Sequence, residues 1–318
     1  MPSFSDLPGS EGFLFRGEVT GLRREITRAR SRLRRLTGPA LVSQRLTRAP
    51  ICIRAQEKDQ RMFKVNLPVL ALAGVLVPLA SFAQYAAEVI SYSPGVGFSR
   101  GYTNATSALG EPSRVTPGVF GGPVDPFDPD YLPSQLVSIG AGGSLTVKFS
   151  RPVLNHPNNR FGIDFIIFGD SGFIITNAFD PVTFDLIGIA ATDGSLFGNN
   201  TGVSRVWVSR DGVTFYELNP ALAPTVDNLL PTDGSGNFST PADPTLTQTD
   251  FAGLSLEQIR ALYLGSAGGA GYDISWAQDA EGNPANLQQI SYVRVEILSG
   301  KAEVDGFAAV FTPRGLGR

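Results

Sequence analysis

The chain has 318 residues, a length that admits two domains or one large β domain. Charged residues make up only 17% and apolar ones 42%, with 36 Gly and 23 Pro, a balance foreign to collagens, coiled coils and acidic disordered chains. A single Cys and a single His exclude a disulfide scaffold, a His/Cys zinc site and any Ser-His-Asp or Cys-His catalytic machinery.

The net charge of −3 conceals two unlike parts. Residues 1–61 carry 13 Lys/Arg against 6 Asp/Glu, with a run through Arg23, Arg24, Arg28, Arg30, Arg32, Arg34 and Arg35, whereas residues 84–318 carry 12 against 23. Clustered arginine can neutralise nucleic-acid phosphates, but the next segment argues otherwise. From Met62 the chain offers a positive residue, Lys64, an apolar stretch from Leu67 to Ala80, and small residues at Ser81 and Ala83. That is the layout of a secretory signal cleaved after Ala83. Such signals act at the start of a chain, so residues 1–61 are expected to be an over-extended start or a disordered basic leader. No nucleic-acid partner is expected. The apolar stretch is shorter than the roughly 20 residues of a spanning helix, and Pro68 and Pro78 interrupt it. Membrane contact is therefore expected only through 62–83, and the destination is outside the cytoplasm: secreted, periplasmic or on the cell surface. Cys52 falls outside the mature part.

Residues 84–318 read as one β-sandwich domain of short strands and long loops, with little helix. In Ser144–Phe149, Leu145, Val147 and Phe149 alternate with Thr146 and Lys148, the period of a half-buried strand. Gly162–Phe168 is nearly continuous apolar and is placed centrally, covered on both faces. Segments 205–209 and 213–218 flank Arg210-Asp211-Gly212, a hairpin whose Asp-Gly pair suits a tight type I′ turn. Ser255 and Gln258 form a capping-box pattern ahead of Ile259, Leu262 and Tyr263, with Gly265 as a stop. Near the end Val293, Val295 and Ile297 alternate with Tyr292, Arg294 and Glu296, and Gly300-Lys301 turns the chain into a closing segment. The connections 110–135 and 220–249 are rich in Pro, which denies donors to a ladder.

The succession 137–149, 162–169, 206–218, 268–274 and 293–296 resembles secreted bacterial cell-surface proteins with a discoidin-like, galactose-binding-like jelly roll. The likeness spans most of 86–311 and rests on strands and turns. It implies an all-β jelly-roll sandwich with long loops and one short helix. Relatives of that group often end in a sorting tail with a Pro-Glu-Pro motif, which Phe311–Arg318 does not contain.

Three kinds of chemistry fit the residues present. His156, in the polar turn Asn155–Asn159, reads as a loop residue rather than a base. Paired carboxylates could still hydrolyse an extracellular polysaccharide, since two acids about 5–10 Å apart suffice. Calcium is the more physical use of acidic loops, because it takes six to eight hard oxygen ligands. Asp125, Asp128 and Asp130 form one candidate set, and Asp170, Asp273 and Asp305, beside glycines, form another. The plainer alternative for each is an Asx turn or strand cap. Carbohydrate is the third candidate, with Trp207, Tyr216, Trp276 and Tyr292 as ring platforms and Arg205 and Arg294 for hydroxyls. Those rings could instead cover the core. The expected function is a non-catalytic exported module that binds glycan or another surface polymer, against a polysaccharide-active enzyme or a purely structural, adhesive surface protein. Export makes a first prediction. N-terminal sequencing of the native protein should begin Gln84-Tyr85-Ala86, and recovery of peptides from 1–61 would contradict it.

Overall fold

The computed structural model describes residues 84–310, apart from 198–201 and 228–229. The basic leader, Cys52, the signal segment and residues 311–318 lie outside the described residues. In chain order the strands are β1 (Ala86–Ser93), β2 (Val115–Thr116), β3 (Gly122–Pro123), β4 (Val137–Gly140), β5 (Ser144–Leu154), β6 (Phe165–Phe168), β7 (Gly172–Phe173) and β8 (Leu196–Phe197). They continue with β9 (Val203–Ser209), β10 (Tyr216–Leu218), β11 (Ala270–Tyr272), β12 (Ala277–Gln278), β13 (Gln289–Ser299), β14 (Lys301–Val304) and β15 (Gly306–Ala309). One short α-helix, α1 (Leu256–Tyr263), precedes β11.

Alternation decides which face each strand buries. β1, β5, β13, β9, β10 and β12 form a six-stranded sheet in that order, and its ladders are antiparallel. Val147 lies opposite both Val89 and Val293, and Val293 lies opposite Val208, so one row of β-branched side chains crosses four strands. Leu145, Val147, Phe149, Val293, Val295 and Ile297 all turn inward and are essentially unexposed. Against them pack Val137 and Ile139 of β4, Ala302 and Val304 of β14, and Phe307 of β15. The opposite face of the six-stranded sheet carries Lys148, Arg205, Trp207, Tyr292, Arg294 and Glu296, none of them fully buried.

β6 is the apolar run expected to lie centrally, and it does. It sits between β11 and β15 with all four residues buried. Phe165 and Ile167 face the main core, where Phe165 stacks on Tyr272 with ring centres 5.2 Å apart. Ile166 and Phe168 face a second cluster with Ile163, Phe238, Ala267 and Ala308. A third cluster gathers Phe173, Phe251, Ile259 and Tyr263 around α1.

Local details depart from expectation in informative ways. The hairpin of β9 and β10 pairs Val208 with Tyr216 and Trp207 with Glu217, so six residues, not a tight type I′ turn, join the strands. The cause is Asp211, whose carboxylate accepts the N–H groups of Val213 and Thr214 and holds an Asx loop open. α1 begins at the expected capping box, Ser255 N–H donating to Gln258 Oε1 at 2.9 Å, but the left-handed residue that ends it is Leu264, at φ 52°. The prolines of 110–135 confine that segment to the two-residue ladder of β2 with β3. Between β7 and β8, residues 176–191 form a hairpin-like excursion closed by Thr176 N–H to Ala191 O and Ile187 N–H to Ala178 O. It leaves Phe179, Val182, Phe184, Ile187 and Ile189 exposed. Leu145, unexposed at the centre of the main core, makes the fold testable. Leu145→Ala should lower unfolding free energy by about 2–5 kcal/mol in a denaturant titration, without altering the β-type circular dichroism of the remaining folded protein.

Candidate functional site

Two regions stand out, one on the open face of the six-stranded sheet and one buried at the end of β6. On the sheet face, Ser91, Ser144, Trp207, Phe215, Arg294 and Glu296 line a shallow pocket of about 310 Å³, at the small end of the range for ligand sites. The strands set its floor. Arg294 and Glu296 are alternate residues of β13, and Arg294 lies opposite Trp207 on β9 and Thr146 on β5. A register shift between Val89 and Ser91 delivers Ser91 beside Thr146. The Trp207 indole N–H donates to Glu296 Oε2 at 3.1 Å. Arg294 Nε donates to Thr146 Oγ1 at 3.1 Å, and its guanidinium lies over the Phe215 ring at 3.9 Å. Beside the pocket, Arg205 pairs with Glu217 at 3.0 Å, and Lys148, 3.6 Å from Glu88, sits over Tyr292.

Of the six residues expected to meet a sugar, the pocket gathers Trp207 and Arg294. Arg205 and Tyr292 share the sheet face but do not line it. Tyr216 and Trp276 pack against the core, the plainer alternative for both. Phe215 and Glu296 were missed, although alternation carried the signal: Phe215 is two residues from Glu217, which pairs with Trp207, and Glu296 is two residues from Arg294.

The second region is acidic. Asp305 follows β14 and donates its N–H to Phe168 O, which places it at the end of β6 where Gly169 and Asp170 emerge. Its carboxylate accepts Ser113 N–H at 2.6 Å and Ser113 Oγ–H at 2.8 Å, yet burial pushes it up to about 7. Asp227, in the left-handed region at φ 63°, accepts Ser171 N–H at 2.8 Å. Asp170 hydrogen-bonds Asp227 and Glu303, and burial followed by those two charges lifts it well above the usual carboxylate range. Burial also acts to raise Glu303, but hydrogen bonds from Asp170 and Ser99 and the Lys301 ammonium at 3.2 Å outweigh it and hold Glu303 low. Asp130 completes the group. It is 1% exposed, neither of its oxygens has a hydrogen-bond partner, and burial followed by the charge of Asp305 drives it well above the ordinary range.

The expected calcium sets are thus divided differently from the sequence grouping. Asp130, Asp170 and Asp305 converge. Asp125 and Asp128 do not join them: Asp125 caps its own turn, accepting Phe127 and Asp128 N–H, and exchanges backbone hydrogen bonds with Asp128. Asp273 lies by the other end of β6, capping a short 3-10 turn through Ser275 N–H. Among the described residues, no three or more His, Cys, Asp or Glu side chains are grouped so as to hold a metal ion as they stand.

At that other end Asp164, fully buried, accepts His156 N–H at 3.0 Å, Asn159 Nδ2 at 2.8 Å and Ile274 N–H at 3.0 Å. His156 lies in a loop, its backbone N–H held by Asp164 and its Nδ1 accepting Asn158 N–H at 3.2 Å. No protein-family model matches the chain, and no curated protein matches it significantly.

Burial outweighs the three donors to Asp164 and raises it from 3.8 to about 6. A carboxyl raised on folding contributes stability that is complete below its unfolded value and is lost as pH climbs through the folded one. The stability advantage of the wild type over Asp164→Asn, measured by denaturant unfolding, should therefore shrink by about 2–3 kcal/mol as pH rises from about 4 past about 6.

Proposed function

We propose that residues 84–318 form an exported, non-catalytic carbohydrate-binding module, a galactose-binding-like jelly roll of the cell surface or its matrix. The observation that carries this reading is the pocket on the open sheet face. A sugar presents a C–H face that packs on Trp207 or Phe215 and hydroxyls that meet Arg294, Glu296, Ser91 and Ser144, all of which line the same 310 Å³. Pairing within the floor pre-orients these groups, with Glu296 holding the Trp207 indole and Thr146 holding the Arg294 guanidinium, so little side-chain freedom is lost on binding. The acids with raised pKa favour a module over a glycosidase. Asp130, Asp164 and Asp305 are no more than 3% exposed and Asp170 alone among them is partly open, so they present no facing pair to a polysaccharide chain.

A second reading has its own observation. The exposed apolar side chains of the 176–191 excursion, with Val182 83% and Ile189 80% exposed, suit an adhesive role on an apolar surface. One experiment separates the two. On a glycan array and on an uncoated hydrophobic support, Trp207→Ala and Arg294→Ala should each weaken glycan binding by about tenfold or more, equivalent to about 1.4 kcal/mol. Glycan binding unchanged in both variants would remove the sheet face from consideration. Retention on the hydrophobic support that is lost in Val182→Ser would favour adhesion.

A further inference from the structure

The acidic group at the end of β6 is unusual for its imbalance. Five carboxylates reach it from separate places: Asp130 from the Pro-rich connection, Asp170 from the end of β6, Asp227 from the connection after β10, Glu303 from β14 and Asp305 from the step into β15. Asp130, Asp227, Glu303 and Asp305 are each no more than 8% exposed, and Asp170 is the partly open member. The charged group of opposite sign that faces them is Lys301, which is engaged by Glu303 and by Ser99 at 2.6 Å. The neutral donors include Ser113 to Asp305, Ser171 and Glu303 N–H to Asp227, and Ser99 to Glu303. Lys301 is itself partly exposed, and one ammonium does not balance five acids.

The decisive observation is Asp130. A carboxylate in a dry interior is ordinarily met by donors or an opposite charge, because leaving it bare is costly. Both oxygens of Asp130 are enclosed without a donor from any other described residue, and the charges of Asp305, Asp227 and Glu303 act on it. Asp125, Asp128 and Asp273, by contrast, are tied up in turns and caps. An unpaired oxygen pair directed into a surplus of negative charge is complementary to a cation.

We propose that Asp130, Asp170, Asp227, Glu303 and Asp305 bind a calcium ion that clamps the Asp125–Asp130 turn to the end of β6 and to the β14–β15 step. The donor set is oxygen throughout, which selects a hard ion over zinc or copper. Calcium accepts many carboxylates in irregular geometry, whereas magnesium keeps several waters that so enclosed a place would have to house. The partly open Asp170 marks the side of entry. This site is independent of the sheet-face pocket, so either reading can fail alone.

The test uses the full-length chain stripped of divalent ions with a chelator. Titration with calcium chloride should give saturable heat for about one ion per chain and a melting temperature that climbs with the logarithm of calcium concentration. Magnesium chloride should do much less. Asp130→Asn should lower calcium affinity by at least about tenfold while leaving the calcium-free melting temperature equal to or above that of the wild type, since it removes a bare buried charge. Asp128→Asn should keep the full calcium response. No heat and no thermal shift at millimolar calcium would overturn the proposal, as would wild-type affinity in Asp130→Asn. Should Asp130→Asn fail to fold, elemental analysis of the desalted wild type decides: about one calcium per chain supports the site, and its absence rejects it.

Discussion

A strand buried on both faces sets the terms for the rest of this molecule. Phe165 to Phe168 contribute only apolar side chains, one pair to the main core and the other to a cluster around Phe238, whose ring meets Phe168 edge-on at 5.0 Å. Backbone polarity within the strand is absorbed by β11 and β15. Whatever charge the chain carries just outside the strand therefore meets a dry interior at once, where ionisation is penalised. Asp164 stands at one end and Asp170 at the other.

The two ends meet that constraint in opposite ways. Asp164 draws three donors from nearby loops, one of them an Asn side chain and two of them backbone N–H groups. At the Asp170 end five acids gather around one ammonium, that of Lys301, and neither carboxylate oxygen of Asp130 has a partner. The open face of the six-stranded sheet behaves differently again, because its charged groups have partners: Lys148 with Glu88, Arg205 with Glu217, Glu296 with the neutral Trp207 N–H, and Arg294 with Thr146 and the Phe215 ring. Exposed pairs of this kind add little stability. Their effect is to order the side chains on and beside the pocket.

Much of this architecture is legible in the chain. Leu145 to Phe149 and Val293 to Ile297 announce half-buried strands through a period of two, and the unbroken run at 163–168 announces a strand covered on both sides. Ser255 and Gln258 mark the helix start because the capping box is a local device. The acidic group resists such reading for the converse reason. Asp130, Asp227 and Glu303 lie 76 to 173 residues apart with no local pattern in common, and long-range contacts such as the pairing of β14 with β4 and β15 with β6 gather them. Glycine neighbours suggested a link between Asp273 and Asp170, but glycine says nothing about which end of β6 a loop reaches. Phe215 lies in the loop that Asp211 lengthens, one residue before β10, yet keeps the alternation of Glu217 and packs against Arg294.

One of the two edge strands of the large sheet, β1, has irregular pairing, with shifts between Ala86 and Glu88 and again between Val89 and Ser91. An incoming chain seeking to extend the sheet would find its donor and acceptor rhythm broken twice within eight residues, and a carboxylate at Glu88 beside the first break. Molecules crowded together at high local density are thereby discouraged from zippering edge to edge into fibrils, and each can keep its broad polar face turned to the surroundings.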